Sequence, residues 1–264
     1  MESLFKLGLV SISFRALSVE ELVRMVSDAG LQGIEWGGDV HVPHGDLVVA
    51  GRVRRVCKEA GLEISAYGSY YKHGDCLSLK GNGPDFEAVL DSAEALGASM
   101  IRVWAGETGS NESSEDWPNR VVARTREIAE LSAKRGISIG FEFHDHSLTD
   151  TIESTINLLK QIDRPNVTTF WQTPLGIPHV ERLDGLKKVV GNVSNIHCNY
   201  FGDNMWPGMR LLEEGAADWK DYLDVLEESG KSRWISIEHV KDHHVSNFPR
   251  DAATLKSWID ERSG

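Results

Sequence analysis

Eight short runs rich in isoleucine, valine and aromatic residues recur along this chain of 264 residues, and their spacing constrains the fold more than any other feature. The runs cover residues 6–12, 32–36, 63–67, 100–104, 137–143, 167–171, 193–198 and 234–237. Runs of this length and composition predict β-strands. Successive runs lie 27 to 39 residues apart, counted between one central residue of each, which leaves room for one helix after every strand.

Helical patterns fill the intervals between the runs. Ser18 and Glu21 form a capping box, and apolar residues follow over residues 22–29 at the spacing of an amphipathic helix. Six of the seven helix-to-strand joints carry a glycine suited to the left-handed residue that ends a helix. These glycines are Gly30, Gly61, Gly97, Gly136, Gly191 and Gly230. The exception is residues 164–166, where Pro165 stops the helix instead.

Strands that alternate with helices predict a parallel sheet with right-handed crossovers, and eight such units close most naturally into a (β/α)8 TIM barrel. The alternative is an open doubly wound sheet, which usually has a glycine-rich turn after its first strand. The first run continues instead as Val10-Ser11-Ile12-Ser13-Phe14, which favours the barrel. The eight units use the whole chain, so we expect a single domain over residues 1–264.

An excess of acidic residues argues against a nucleic-acid partner. The chain has 28 Lys and Arg against 40 Asp and Glu, which gives a formal charge of −12 and a pI near 5.3. No window approaches a membrane span, and the N-terminus lacks the basic start and apolar stretch of a secretory signal. We therefore expect a cytoplasmic protein without nucleic-acid or membrane partners, and leave a homodimer open.

Polar side chains close four consecutive strands, from the fifth to the eighth. They are Glu142, Gln172, His197 and Glu238. The active site of such a barrel lies at the carboxyl ends of its strands, so we expect these side chains at one mouth. A carboxylate at the end of an apolar strand needs compensation. One divalent metal ion supplies it: three oxygens and one imidazole nitrogen suit Mn2+, with Mg2+, Co2+, Fe2+ or Zn2+ as alternatives.

The structural alternative for these four residues is a network of ion pairs and hydrogen bonds, because buried charges also occur in purely structural networks. No basic residue immediately follows the four strands to serve as an obvious partner. The sequence therefore favours the metal.

Two further motifs connect the chain with a known family. Gly33-Ile34-Glu35-Trp36 lies on the second strand, and Arg102-Val103-Trp104-Ala105-Gly106 lies on the fourth. With these motifs and its four polar strand ends, the chain resembles the xylose isomerase-like TIM barrel superfamily, specifically the sugar phosphate isomerase/epimerase family. The resemblance implies a metal held by the four strand-end side chains, with Glu142 and Glu238 as catalytic residues that also handle protons.

The leading hypothesis is a metal-dependent isomerase or epimerase of a keto-sugar or sugar derivative. A metal on the substrate carbonyl acidifies the adjacent C–H by stabilising an enediolate, and a carboxylate removes the proton. Two alternatives stay open: a lyase or dehydratase acting on an oxidised sugar or inositol derivative, and a non-catalytic carbohydrate-binding barrel. The expected partner is a small-molecule sugar.

Two positions depart from the family pattern. Gln172 stands where family members commonly have an aspartate, so two glutamates and a divalent ion sum to zero charge. We expect the metal to be held less tightly and to polarise its substrate more. Asn199 stands two residues after His197, where relatives often carry a basic residue.

Aromatic residues and histidines near the strand ends supply the expected substrate-binding wall. Aromatic faces suit the C–H surface of a sugar, while N–H and O–H groups bind hydroxyls. The expected substrate-binding residues are Trp36, Tyr70, Trp104, His144, His179 and Trp206. For the tryptophans the alternative is packing at the barrel rim, and for the two histidines it is simple exposure in loops.

Overall fold

A computed structural model describes residues 3–73, 84–202 and 208–263 of the chain. Eight parallel strands form a closed barrel in the order of the chain, and a helix follows each strand, so the predicted (β/α)8 TIM barrel is confirmed. The strands are β1 (Phe5–Val10), β2 (Gly33–Gly37), β3 (Glu63–Lys72), β4 (Met100–Trp104), β5 (Ser138–Phe141), β6 (Val167–Gln172), β7 (Val193–Cys198) and β8 (Arg233–Ile237). The helices are α1 (Val19–Asp28), α2 (Leu47–Glu59), α3 (Phe86–Leu96), α4 (Asp116–Ala133), α5 (Ile152–Ile162), α6 (His179–Val189), α7 (Ala216–Glu228) and α8 (Phe248–Ser263).

Helix ends follow the capping signals in the sequence. Ser18 and Glu21 make both hydrogen bonds of the capping box at the start of α1. Five of the six predicted glycines adopt a positive φ, between 66° and 82°. The exception is Gly191, because α6 passes into a 3-10 turn over Val190–Asn192 before β7 begins. Asp163, with φ of 49°, takes the left-handed position at the end of α5, where the sequence has no glycine.

Strand β3 is longer than the predicted run of residues 63–67 because a bulge lets it continue. Its register against β4 shifts between Gly68 and Tyr71. Within the bulge, the hydroxyl of Ser69 donates to the carbonyl of Arg102 at 2.7 Å and accepts from the backbone N–H of Tyr71 at 3.1 Å. Tyr70 has a φ of 53°, a conformation that costs a non-glycine residue energy and that often marks a functional site.

The chain divides into two compact units. The first comprises Met1–Glu35, Val56–Glu63 and Trp171–Gly264, and the second comprises Trp36–Arg55 and Ile64–Phe170. In the first unit β1 pairs with β2 and β8, and β8 pairs with β7, so that buried Ile235 lies opposite both Leu7 and Ile196. In the second unit β4 pairs with β3 and β5, and buried Ile101 lies opposite Ile139.

Among the residues that the structure describes, no helix combines the length and apolar character that crossing a bilayer requires. The expectation that residues 1–264 form one domain stays a prediction.

Candidate active site

Two buried carboxylates flank His197 in the first unit. Glu35 lies on β2 opposite Val10, and His197 lies on β7 opposite Ser236. Glu238 follows β8 directly, and its backbone N–H donates to the carbonyl of Cys198 at 3.0 Å, so that it continues the β7–β8 ladder. Strand pairing therefore positions the three side chains at the carboxyl-terminal part of their strands.

Each ring nitrogen of His197 faces a different carboxylate. Nε2 lies 3.0 Å from Oε2 of Glu35, and Nδ1 lies 3.2 Å from Oε2 of Glu238. Each of the three side chains is at most 4% exposed. Burial alone lowers the pKa of His197, but the negative charges of Glu238 and Glu35 outweigh it and raise the pKa to about 10. Without a metal, the two carboxyl groups therefore favour the charged, imidazolium form of His197.

Arg102 and Glu142 form a buried ion pair in the second unit. The backbone N–H of Glu142 donates to the carbonyl of Val103 at 2.9 Å, which continues the β4–β5 pairing past the end of β5. Nη1 of Arg102 donates to Oε2 of Glu142, and both side chains are at most 5% exposed. The guanidinium also lies over the ring of Tyr70, with Cζ 5.1 Å from the ring centroid. The bulge in β3 thus sets an aromatic face against the cation that holds Glu142.

Arg102 is the basic partner of Glu142, and it was not predicted from the sequence. It lies inside β4 rather than after any of the four strands, and it reaches Glu142 across one strand pairing. Glu142 therefore has a buried ion-pair partner, and the choice between a structural ion pair and a metal ligand stays a prediction. A carboxylate that accepts from an arginine can also be a metal ligand, because its two oxygens together have about four lone-pair sites.

Three of the four expected metal ligands come together. One ligand atom from each of Glu142, His197 and Glu238 lies within 4.8 Å of the others, and all three residues are buried. Two carboxylate oxygens and one imidazole nitrogen are donors that fit a divalent cation. Gln172, the last residue of β6, is half-buried, and coordination through its amide oxygen stays a prediction.

The expected substrate-binding residues of the second unit lie in different environments. Trp104 and His144 stack on each other, with ring centroids 4.1 Å apart and planes 30° apart, and both are half-buried. Trp36 is completely buried and packs edge-on against His41. Substrate contacts of Trp36, Trp104, His144 and Tyr70 stay predictions.

His179 is not in a loop, as the sequence suggested, but begins α6. Its Nε2 lies 2.9 Å from Oδ2 of Asp221, and its Nδ1 lies 3.1 Å from the hydroxyl of Tyr222. These contacts tie α6 to α7. Its predicted substrate contact is untested, and Trp206 lies outside the described residues.

Glu35 and Arg102 were not among the predicted site residues, although each belongs to one of the two family motifs on β2 and β4. The signal that identified Glu142, a charged residue in an apolar strand, is present at both positions. Glu35 stands between Ile34 and Trp36, and neither neighbour is exposed at all. We therefore add Glu35 and Arg102 to the candidate site.

Comparisons with known proteins agree with the fold. A 3-dehydroshikimate dehydratase from Bacillus anthracis is 31% identical over 173 residues, which cover 61% of this chain and 59% of that protein. A probable L-ribulose-5-phosphate 3-epimerase, UlaE, from Mycoplasma pneumoniae is 25% identical over 61% of this chain and 50% of its own length. The matches thus span between half and three fifths of the curated relatives.

A similar solved structure is that of the probable 3-DHS dehydratase AsbF from Bacillus anthracis. It superposes with a TM-score of 0.78 at 23% identity and covers 95% of this chain and 98% of its own. At this identity the likeness shows the fold alone.

The expectation of an isomerase is wrong on these comparisons, because the 31% identical relative is a dehydratase, which is a lyase. The family assignment is confirmed. The family model of the xylose isomerase-like TIM barrels matches residues 23–262. This chain therefore belongs to the xylose isomerase-like TIM barrel family.

Proposed function

We propose that this protein is a metal-dependent dehydratase that removes water from a cyclic β-hydroxy ketone of the 3-dehydroshikimate type. The observation that carries the proposal is the buried set of Glu142, His197 and Glu238 in a chain that is 31% identical to a 3-dehydroshikimate dehydratase. The same set serves any reaction that begins with proton removal next to a carbonyl. The similarity to the dehydratase favours elimination among these reactions.

Glu142, His197 and Glu238 would hold the cation, and Gln172 would add a neutral oxygen. A bound divalent cation withdraws electron density from a substrate carbonyl and so makes the neighbouring C–H more acidic. With two glutamates as the only anionic ligands, the loaded site is electrically neutral. We propose Mn2+ as the native metal because it accepts this mixture of oxygen and nitrogen donors.

Elimination requires two proton transfers: one from the C–H group of the substrate and one to the departing hydroxyl. Two glutamates of the candidate site are available for these transfers. The carbon between the ketone and the hydroxyl-bearing carbon loses its proton to one glutamate. The C–H electron pair becomes part of a new C=C bond as the C–O bond to the β-hydroxyl breaks, and the hydroxyl leaves with a proton as water. Glu142 and Glu238 would fill these roles, and both are ionised at the start. One accepts the C–H proton, and the carboxylic acid so formed supplies the proton that the departing hydroxyl takes, directly or through the other glutamate. Arg102 fixes the Glu142 carboxylate by its buried ion pair.

The test is direct turnover of 3-dehydroshikimate. The purified protein, loaded with Mn2+ and separately with Mg2+, is incubated with the substrate, and the product is identified by mass spectrometry and by ultraviolet absorbance. We expect loss of one water and the absorbance of a dihydroxybenzoate ring, since the eliminated product becomes aromatic by tautomerisation. The variants Glu142→Gln and Glu238→Gln should lose turnover by more than 100-fold. Asp251→Asn, which removes a buried carboxylate on α8, should retain it.

A second reaction identifies the alternative outcome. The same protein is incubated in deuterated water with a panel of ketohexoses and ketopentoses. Deuterium beside the carbonyl without loss of water, together with no turnover of 3-dehydroshikimate, would overturn the proposed dehydration. Cation binding with neither reaction would also contradict it, and would agree with a non-catalytic carbohydrate-binding barrel.

A further inference from the structure

We infer that Glu35 is a positioning residue that orients His197 so that its Nδ1 faces the metal and its Nε2 faces away. The inference rests on the proposed metal site, but not on the identity of the substrate or on dehydration. Oε2 of Glu35 lies 3.0 Å from Nε2 of His197, and each side chain is 1% exposed. Both residues belong to the same compact unit.

The proton positions follow from the chemistry of the two groups. An ionised carboxylate only accepts hydrogen bonds, so the ring nitrogen that faces Glu35 must carry a proton. Nδ1 also faces a carboxylate, 3.2 Å from Oε2 of Glu238, but Glu238 is itself one of the proposed ligands. A cation bound there would take the place of the proton on Nδ1, so the lone pair available to a metal is on Nδ1. Nδ1 of His197 and a carboxylate oxygen of Glu238 are therefore the donor atoms that this geometry presents to a cation.

The burial of Glu35 also supports a defined role for its hydrogen bond with His197. The residue occupies the middle of β2, between Ile34 and Trp36, and neither neighbour is exposed. A carboxylate at such a position is costly unless it is hydrogen-bonded or paired with a charge. A carboxylate that accepts from the second nitrogen of a metal-bound histidine fixes the orientation of the ring and increases its basicity as a ligand.

Binding of Zn2+ tests the inference, because it can be measured without a substrate. Zn2+ is also diamagnetic, which allows the bound protein to be studied by NMR. Calorimetry should show that Glu35→Ala weakens Zn2+ binding by about 10- to 100-fold. Glu35→Gln keeps an oxygen that accepts from Nε2–H. Its affinity for Zn2+ should therefore lie within about 10-fold of that of the unmodified protein and should exceed that of Glu35→Ala. Asp251→Asn is the matched control, because Asp251 is equally buried but pairs with the backbone of Leu212. It should bind Zn2+ as the unmodified protein does.

A nitrogen-15 NMR spectrum of the imidazoles in the Zn2+-loaded protein gives a readout that does not depend on a variant. His197, assigned by its loss in His197→Gln, should show a protonated Nε2 and a metal-bound Nδ1. This measurement decides the question even if Glu35→Ala does not fold.

The outcomes separate the two proposals. If the unmodified protein binds no divalent cation, the proposed metal site itself is wrong. If it binds Zn2+ and Glu35→Ala has the same affinity, or if Nε2 of His197 is the metal-bound nitrogen, the positioning role of Glu35 is refuted while the metal site stands.

Discussion

Arg102 on β4 and Glu142 after β5 form an ion pair from which water is almost completely excluded. Removing one member of such a pair leaves an uncompensated buried charge. We expect Arg102→Met to lower the free energy of unfolding by about 3–5 kcal/mol, measured by chemical denaturation in the presence of a chelator. The double variant Arg102→Met with Glu142→Gln should recover part of this loss, because neither charge then remains.

An exposed ion pair provides the comparison for Arg102. Arg135 bonds Asp91 and Glu94 at the surface, with about a third of its side chain exposed. Arg135→Met should cost less than about 1 kcal/mol, since surface ion pairs contribute little. If Arg102→Met and Arg135→Met lower the free energy of unfolding equally, the buried pair with Glu142 contributes no more to stability than a surface ion pair.

Asp251 on α8 should destabilise the protein at neutral pH. Its Oδ1 accepts from the backbone N–H of Leu212 at 2.9 Å, but burial raises its pKa from 3.8 to about 6. The folded state therefore disfavours the charged form, and this penalty grows as the pH rises from about 4 to about 6. Asp251→Asn keeps the accepting oxygen without the charge. We expect it to raise the free energy of unfolding by about 2 kcal/mol at pH 8 and to change it little at pH 4.

The control for Asp251 is an exposed aspartate whose pKa shifts in the opposite direction. Lys188 lowers the pKa of Asp184 through a hydrogen bond and its charge. Asp184→Asn should give no stabilisation at pH 8. A loss of stability at pH 8 in Asp251→Asn would contradict the prediction, because it would mean that the charged form contributes favourably.

His73 should make the fold sensitive to acid. Burial lowers its pKa from 6.5 to about 4, while its Nδ1 donates to the carbonyl of Trp104 at 2.9 Å. Between pH 6.5 and pH 4 the unfolded chain binds a proton at this histidine and the folded chain does not, so stability falls as the pH falls. We expect His73→Gln to remove up to about 3 kcal/mol of this dependence in denaturation curves across that range. His146→Gln, at an exposed position, should leave the dependence unchanged.

The sequence predicts the barrel well because strand and helix signals are local. Apolar runs, a capping box and glycines at helix ends each act within a few residues, and the structure confirms them at Ser18 and at five of the six glycines. The strand-end rule likewise identified Glu142, His197 and Glu238, because in a closed parallel barrel all strands end on the same side.

Partners that come from other strands or helices could not be predicted in the same way. Arg102 lies 40 residues before Glu142, and Glu35 lies 162 residues before His197. His179 meets its partner Asp221 across 42 residues. These pairings depend on the register between elements and on helix packing, and neither is encoded in the periodicity of one element. The sequence does show charged residues inside apolar strands, at Glu35 and Arg102. Only the polar residues at strand ends were predicted to be functional.

Gln172 offers a test of how charge tunes the proposed metal site. Replacing its neutral amide by a carboxylate adds one negative charge at the end of β6. We expect Gln172→Asp to strengthen Zn2+ and Mn2+ binding by about 10-fold or more in calorimetry, since attraction between charges a few ångströms apart is strong in a buried environment. Gln161→Glu adds the same charge on the exposed part of α5 and should leave the affinity unchanged. Equal effects of the two variants would show that Gln172 does not contact the cation and that only net charge affects its binding.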